Sequence, residues 1–158
     1  MRFRIALRKY KLPIILLILA VSIVSLEITL PIAKIGYLNL TNSMPKGIYV
    51  VTHSSIAQAR FVVIPSSRVQ NFGEKPPRYL LKQLIPYHGE NVSIDQDGLS
   101  LDGRLVASRI KNIGIVFNSK LQPGQALILG QSERSFDSRY FGPVNISDLT
   151  AVRPLITW

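Results

Sequence analysis

The N-terminus joins a basic tail to a long apolar run, and this feature constrains the rest of the chain most. Residues 1–11 contain five basic residues and no acid, and an aliphatic run follows over residues 12–26. With residues 27–33 added, the run is long enough for a helix to cross the roughly 30 Å hydrocarbon core of a bilayer. Pro13 is tolerated in a first helical turn, and Pro31 indicates the end of the helix. The sequence therefore predicts a transmembrane anchor over residues 12–33.

A basic tail before an apolar run is typical either of a cleaved signal peptide or of a retained anchor. No good Ala-x-Ala-like cleavage site follows the run, and the run is longer than a usual signal-peptide core, so we favour retention. The positive-inside rule then keeps residues 1–11 in the cytoplasm and sends residues 34–158 across the membrane. The lipid bilayer is accordingly an expected partner of the chain.

The net charge of +10 suggests a nucleic-acid binder until its distribution is considered. Half of it lies in residues 1–11, and the other 14 basic and 9 acidic residues are dispersed without a basic run. We therefore expect no nucleic-acid partner. The absence of cysteine excludes disulfides and thiol nucleophiles, and a histidine count of two argues against a metal site. Neither a metal nor a cofactor is expected.

Beyond residue 34 the apolar pattern changes to short runs separated by turn formers. Residues 79–85 and 125–129 are apolar or β-branched, and residues 91–95 alternate apolar with polar side chains. The Asp-Gly pairs at 97–98 and 102–103 are typical of hairpin turns. Because the strands follow one another too closely for βαβ units, we predict one mainly β, antiparallel domain of barrel or sandwich type over residues 34–158.

Three segments of this domain carry residues with chemical potential. Ser43 lies in a loop over residues 41–49 whose proline and glycine can orient its hydroxyl, although such a serine is most often part of a simple turn. Lys82 lies inside the apolar run, where an inward-facing amine would have a lowered pKa; taken alone, an outward-facing strand lysine is the simpler interpretation. The third segment is a polar and aromatic cluster over residues 135–142, which alone is typical of a surface Asp–Arg pair.

Taken together, these segments resemble the signal peptidase I superfamily of serine–lysine proteases. Ser43-Met44-Pro45 is similar to the nucleophile box, residues 81–90 to the general-base box, and residues 137–142 to the last motif of the family. The short nucleophile box, followed by Gly47-Ile48-Tyr49, looks most like the conjugative-transfer TraF-type peptidases. The chain departs from the family pattern at Gln83, where the family usually has Arg, and in residues 88–90, where Pro-Gly-Asp is common. These departures leave substrate preference open.

The resemblance implies a Ser–Lys dyad in which Ser43 is the nucleophile and Lys82 the general base. It implies an oxyanion hole made by the Ser43 N–H and the Thr41 hydroxyl. It also implies supporting roles for Ser135, which would orient the lysine, and for Asp137 with Arg139, which would brace the loop. An extended substrate would lie between two segments, represented by Tyr37, Leu38, Asn39 and Leu40 on one side and Tyr79, Leu80 and Leu81 on the other.

The implied partner is a precursor protein, either a pilin or a secreted preprotein, cut after small residues during conjugative transfer or secretion. The implied location is the bacterial inner membrane, with a single span and a periplasmic catalytic domain. The identity of the substrate, hydrolysis or cyclisation of the product, general or dedicated use, and the oligomeric state stay open.

Two alternatives compete with this interpretation. A Ser–His–Asp triad would use His53 or His88 with Asp95 or Asp137, but both histidines lie in ordinary turn contexts and no G-x-S-x-G elbow is present. The stronger alternative is a catalytically inactive, membrane-anchored assembly or scaffold component of a conjugation or secretion apparatus. The joint presence of Ser43, Lys82, Thr41 and Asp137 argues against this alternative, since a scaffold has no reason to keep an inward-facing lysine.

Overall fold

Short strands dominate the structure, as the two-residue alternation of apolar side chains predicts. The computed structural model describes residues 13, 15–16, 29–32, 35–70, 76–111 and 113–158. The strands within these ranges are β1 Thr29–Ile32, β2 Gly36–Asn39, β3 Gly47–Val51, β4 Phe61–Pro65, β5 Tyr79–Ile85, β6 Val92–Ile94, β7 Gly98–Leu101, β8 Arg104–Ser108, β9 Phe117–Ser119, β10 Gln125–Leu129, β11 Val144–Asn145 and β12 Thr150–Thr157. The helical segments among them are α1 Ser138–Phe141 and the 3₁₀ turns Ile56–Gln58, Ser66–Arg68 and Ile146–Asp148.

The strands form two antiparallel sheets. The larger sheet has the order β1-β2-β3-β12-β4-β5-β10-β11, and the smaller sheet has the order β8-β7-β6-β9. The prediction of a mainly β, antiparallel fold is confirmed. The larger sheet is open, because its first strand β1 and its last strand β11 do not pair with each other, and closure into a barrel is not found among the described strands.

β10 joins the two main cores because its side chains alternate between them. Ala126 and Ile128 face a cluster with residues of β4 and β5, among them Val62. Leu127 and Leu129 face the other way, toward the apolar residues of the smaller sheet. This two-residue period places the smaller sheet against the outer side of β10.

One turn that the sequence predicts is observed, and one strand was not predicted. Asp102 and Gly103 both adopt positive φ, at 48° and 77°, so they form the expected two-residue turn between β7 and β8. β12 was not expected, because Pro154 lies inside it and proline cannot donate to a ladder. The strand accommodates Pro154 through a register shift between Pro154 and Ile156 where it pairs with β3.

The C-terminal end of the expected membrane span is a strand, so the helix prediction over residues 12–33 is wrong there. Thr29–Ile32 pairs antiparallel with Gly36–Asn39 at the edge of the sheet. Extended backbone is favoured by the β-branched residues Thr29 and Ile32 and by Pro31. An edge strand also tolerates the missing N–H of proline. Of the remaining span, Pro13, Ile15 and Leu16 are helical, while the rest of it and the basic tail lie outside the described residues. No helix within the described ranges has the length and apolarity needed to cross a bilayer.

Candidate active site

The loop between β2 and β3 presents Ser43 at the edge of a cavity. Met44, 2% exposed, holds the loop by packing into a core cluster with Tyr49. The Ser43 carbonyl accepts a hydrogen bond of 2.7 Å from the Gln131 N–H, which ties the loop to the end of β10. Ser43 Oγ lies 2.8 Å from Thr41 Oγ1. The backbone and the side chain of Ser43 are therefore both held by hydrogen bonds.

Lys82 points into the protein, although the lysine taken alone suggested an outward-facing strand residue. It lies on β5 between β4 and β10, opposite Val62, and is only 3% exposed. Burial lowers the pKa of its amine from 10.5 to about 8, while the Asp137 carboxylate raises this pKa and the Arg139 guanidinium lowers it. About one tenth of such an amine is neutral at pH 7. A buried lysine of this kind has the properties of a general base.

Residues from all three sequence segments line one cavity of about 360 Å³. Its walls are formed by Thr41, Asn42, Ser43, Pro77, Leu80, Lys82, Ser132, Arg134, Ser135 and Phe136. In this structure the hydroxyl of Ser43 is bonded to Thr41 rather than to the Lys82 amine. The cavity thus brings a serine hydroxyl and a buried amine together.

Ser135 contributes a buried hydroxyl to the same cavity. It is 3% exposed, and its Oγ has no hydrogen-bond partner. Because buried polar atoms are nearly always satisfied, an unpaired hydroxyl beside Lys82 stands ready to accept a bond from the amine or from a ligand. Gly130 makes room for it, since a Cβ at residue 130 would lie 2.0 Å from Ser135 Oγ. Sequence reasoning missed Gly130; its position one residue after an apolar strand was the available signal.

Asp137 and Arg139 form a buried ion pair rather than a surface pair. Arg139 Nη2 donates to Asp137 Oδ2 at 2.7 Å, and the two side chains are 3% and 0% exposed. Asp137 also accepts from the Gly130 N–H at 2.8 Å. The guanidinium donates further to the carbonyls of Ser132 and Ser108, at 3.0 and 2.9 Å. The pair therefore connects the end of β10, the loop that carries Ser135 and the smaller sheet.

The residues expected to bind substrate fall into two groups. Leu80 lines the cavity beside Lys82. The aromatic rings of Tyr37 and Tyr79 contact each other with centroids 5.3 Å apart, which joins β2 to β5. Leu81, in contrast, lies on the other face of β5 in the core cluster of Met44, and Asn39 is fully buried.

Leu38 and Leu40 are the remaining two residues that were expected to bind substrate. Leu38 is half-buried and Leu40 is 5% exposed. The side chains of Asn39, Leu40 and Leu81 were expected at the substrate but are part of the protein interior.

The backbone edge of β2 that was expected to receive the substrate is already paired. β1 lies along it with the register Thr29 to Asn39 and Ile32 to Gly36, and β1 also contacts β5. A segment that the chain itself supplies has a high effective concentration at this edge, and an unpaired edge strand is unfavourable. The chain's own strand therefore occupies the position expected for the substrate.

Neither histidine lines the cavity that contains Ser43. His88 is exposed in a turn, where its backbone N–H donates to Glu90 Oε2 at 2.6 Å, and His53 is also exposed. The geometry does not assemble a Ser–His–Asp triad.

Comparison with known proteins identifies the family of this chain. The family model of the signal peptidases, peptidase S26, matches residues 7–158, and the chain belongs to this family. Two relatives are plasmid transfer proteins TraF from Escherichia coli, 28% and 26% identical over 145 residues, with 76% of this chain and 82% of each relative covered. The resemblance to the TraF-type members of the family is confirmed.

A solved structure of a signal peptidase I from Enterococcus faecalis is also similar. It is 25% identical with a TM-score of 0.37, and the match covers 61% of this chain and 95% of that chain.

Proposed function

We propose that this chain is a membrane-anchored serine endopeptidase that uses Ser43 and Lys82 to cut signal-peptide or pilin-type precursors after small residues. One observation carries the proposal: a serine hydroxyl and a buried lysine of lowered pKa line the same cavity in a member of a peptidase family. The names of the TraF relatives favour conjugative transfer as the setting, with secretion as the related possibility.

The chemistry follows from the groups in the cavity. Neutral Lys82 takes the proton of Ser43 as its Oγ attacks the scissile carbonyl, and the protonated amine then gives that proton to the leaving nitrogen. Water then attacks the resulting ester on Ser43 and gives a proton to Lys82, which passes that proton to the departing Ser43 Oγ, so that the hydroxyl and the neutral amine are both restored. The Ser43 N–H and the Thr41 hydroxyl would donate to the oxyanion, and Ser135 Oγ would accept from the lysine amine. Asp137 and Arg139 hold the loop that presents Ser135.

The direct test is cleavage of an Ala-x-Ala signal-peptide or pilin precursor by the full chain in detergent or vesicles. We expect a single cut after a small residue, read by N-terminal sequencing of the product. A wild-type protein that cuts no precursor of either kind would count against the proposal and favour the scaffold interpretation.

The lowered lysine pKa predicts the pH dependence of cleavage. Because only the neutral amine can act as base, kcat/KM should rise about tenfold per pH unit and level off above a pH of about 8. The measurement is kcat/KM between about pH 6 and about pH 9.5 with a peptide that lacks titrating groups. A flat profile over this range would show that the reaction does not depend on deprotonation of Lys82.

We further propose that the precursor binds as a strand on β2 in the place that β1 occupies. A disulfide between Leu30→Cys and Leu38→Cys, which are paired in β1 and β2, should hold β1 in place and stop precursor cleavage. Since the natural chain has no cysteine, reduction should restore the activity of this variant without side reactions.

The matched control for the strand experiment is a second engineered disulfide far from the site. Ser100→Cys with Leu105→Cys joins paired residues of β7 and β8 and should leave cleavage unchanged when oxidised. If the oxidised Leu30–Leu38 variant cuts precursors at the wild-type rate, the substrate does not use this edge.

The N-terminus supports the membrane part of the proposal. The basic residues of 1–11 and the apolar residues between them and β1 favour a single span in the bacterial inner membrane, with the N-terminus in the cytoplasm and the catalytic domain in the periplasm. A tether of this kind would hold the cavity near the bilayer surface, where precursors present their cleavage sites. Resistance of the protein to carbonate extraction and its digestion by protease added to spheroplasts would test the anchor and its orientation.

A further inference from the structure

Asn39 ends β2 four residues before Ser43, and its side chain is directed into the loop that carries the serine. The residue is completely buried. Its Nδ2 lies within hydrogen-bonding distance of three carbonyl oxygens, those of Thr41, Met44 and Pro45, at 3.3, 3.1 and 3.0 Å. These carbonyls lie on both sides of Ser43, so a single amide group sets the curvature of the nucleophile loop.

The other end of the same amide accepts two hydrogen bonds from Thr41. The Thr41 N–H lies 3.2 Å from Asn39 Oδ1, and the Thr41 hydroxyl lies 2.7 Å from it. With three carbonyls around the nitrogen and two donors around the oxygen, only one orientation of the amide satisfies its neighbours.

This arrangement determines the direction of the hydrogen bonds at the nucleophile. Asn39 Oδ1 carries no proton, so the Thr41 hydroxyl must be the donor in its bond to Asn39. The Thr41 oxygen then accepts, and Ser43 must be the donor across the 2.8 Å contact between the two hydroxyls. The bonds run from Ser43 to Thr41 to Asn39.

We propose that Asn39 is a positioning residue for the peptidase reaction, acting on Ser43 through Thr41 and through the loop backbone; this inference rests on the proposed function. By accepting from the Thr41 N–H and O–H, Asn39 fixes the position of the Thr41 oxygen, whose proton turns from Asn39 Oδ1 to the oxyanion when the tetrahedral intermediate forms. By holding the three carbonyls, it fixes the direction in which Ser43 Oγ approaches a bound precursor. The Asn39 side chain does not line the cavity.

The test is a set of single and double variants of the full chain, assayed for kcat and KM on a cleaved precursor peptide. Asn39→Ala should lower kcat by about 100-fold or more and leave KM within about threefold, because a small misplacement of a reacting group costs rate rather than binding. The pH midpoint of kcat/KM should not move, since Lys82 is untouched. The control is Asn91→Ala, which removes a hydrogen-bonded amide from the smaller sheet and should leave kcat unchanged.

The double variant Asn39→Ala with Thr41→Val separates positioning through Thr41 from general loosening of the loop. If Asn39 acts through the threonine hydroxyl, the double variant should lose no more than a few-fold beyond the slower single variant, whereas independent effects would multiply. Thr41→Val also keeps every Asn39 Nδ2 bond, so it gives a folded comparison should Asn39→Ala be unstable.

Two results would overturn the inference. One is a kcat within about threefold of wild type for Asn39→Ala, and the other is full multiplication of the two single effects. The proposed function is tested separately by the wild type and by Ser43→Ala. Absence of cleavage by the wild type, or cleavage by Ser43→Ala, would contradict the proposed function and not the role of Asn39.

Discussion

Replacing Ser43 by Ala, or Lys82 by Met, is expected to reduce kcat for precursor cleavage by at least about 1,000-fold while the protein stays folded. Ser43→Ala removes the atom that we propose forms the acyl-enzyme. Lys82→Met keeps the length and the apolar contacts of the side chain but removes the amine that we propose takes the proton. Because the two residues act in one step, the double variant should be no slower than either single variant.

The measurement is product formation from a purified precursor, with near-ultraviolet circular dichroism to show that each variant is folded. Lys120→Met is the matched control, since Lys120 is exposed and does not line the cavity. Cleavage at the wild-type rate by both variants would exclude the Ser–Lys assignment. Loss of activity in Lys120→Met would show that the assay responds to net charge.

The same Lys82→Met substitution is expected to stabilise the fold. The pKa of Lys82 is lowered from 10.5 in the unfolded chain to about 8 in the folded protein. Where the lysine is protonated in both states, this difference lowers the free energy of unfolding by about 3 kcal/mol. This cost is complete below a pH of about 8, decreases as the pH rises toward the unfolded value of about 10.5, and is absent above it. At pH 7 the variant should therefore unfold with a free energy higher by up to about 3 kcal/mol.

Urea unfolding of the full chain in detergent at about pH 7 and about pH 10 tests this expectation. The stability difference between Lys82→Met and wild type should be largest at the lower pH and should shrink across the window in which Lys82 titrates. Lys120→Met should show no such pH-dependent difference. A variant that is less stable than wild type at pH 7 would mean that the lysine is not held at a cost, and the reason to regard it as selected for chemistry would be lost.

The paired loss of activity and gain of stability also separates the two classes of function that the sequence left open. An enzyme keeps a buried, destabilising lysine because the reaction needs it. A scaffold would gain stability from Lys82→Met and lose nothing. Support of assembly by the Ser43→Ala and Lys82→Met variants, in the absence of any precursor cleavage by the wild type, would identify the chain as a scaffold.

Much of the fold could be predicted from local pattern. The two-residue alternation and the Asp-Gly turns identified the smaller sheet, and Asp102 and Gly103 adopt the positive φ angles that such a hairpin needs. The apolar run over residues 79–85 identified β5, the strand that carries Lys82. Local pattern predicts these elements because their turn type and burial depend on residues that are close in the sequence.

Other parts depend on contacts between distant segments, which a single sequence does not display. β12 contains Pro154 and is a strand only because β3 and β4 pair with it on both sides. Thr29–Ile32 continues an apolar run that indicates a helix, and its pairing with β2 decides the outcome. Whether Lys82 faced inward could not be read from its own segment, because both faces of β5 are apolar and the side on which the cavity forms is set by residues 130–136.

The residues of the site, like the fold, could be predicted only in part. Resemblance identified Thr41, Ser43, Lys82 and Ser135, and the structure places all four around one cavity. Asn39 was expected to bind substrate, yet its side chain is turned inward to hold the nucleophile loop. An asparagine in a strand does not reveal by its identity whether it serves a ligand or the backbone.

Acylation of Ser43 during precursor cleavage can be observed by intact-protein mass spectrometry after a rapid acid quench. We expect a transient species heavier than the free protein by the mass of the N-terminal fragment of a short precursor peptide less one water, located by fragmentation to Ser43 and missing in Ser43→Ala. Lys82→Met should show no such species within the wild-type time course. Turnover without an acylated Ser43, or an adduct on another residue, would exclude Ser43 as the nucleophile.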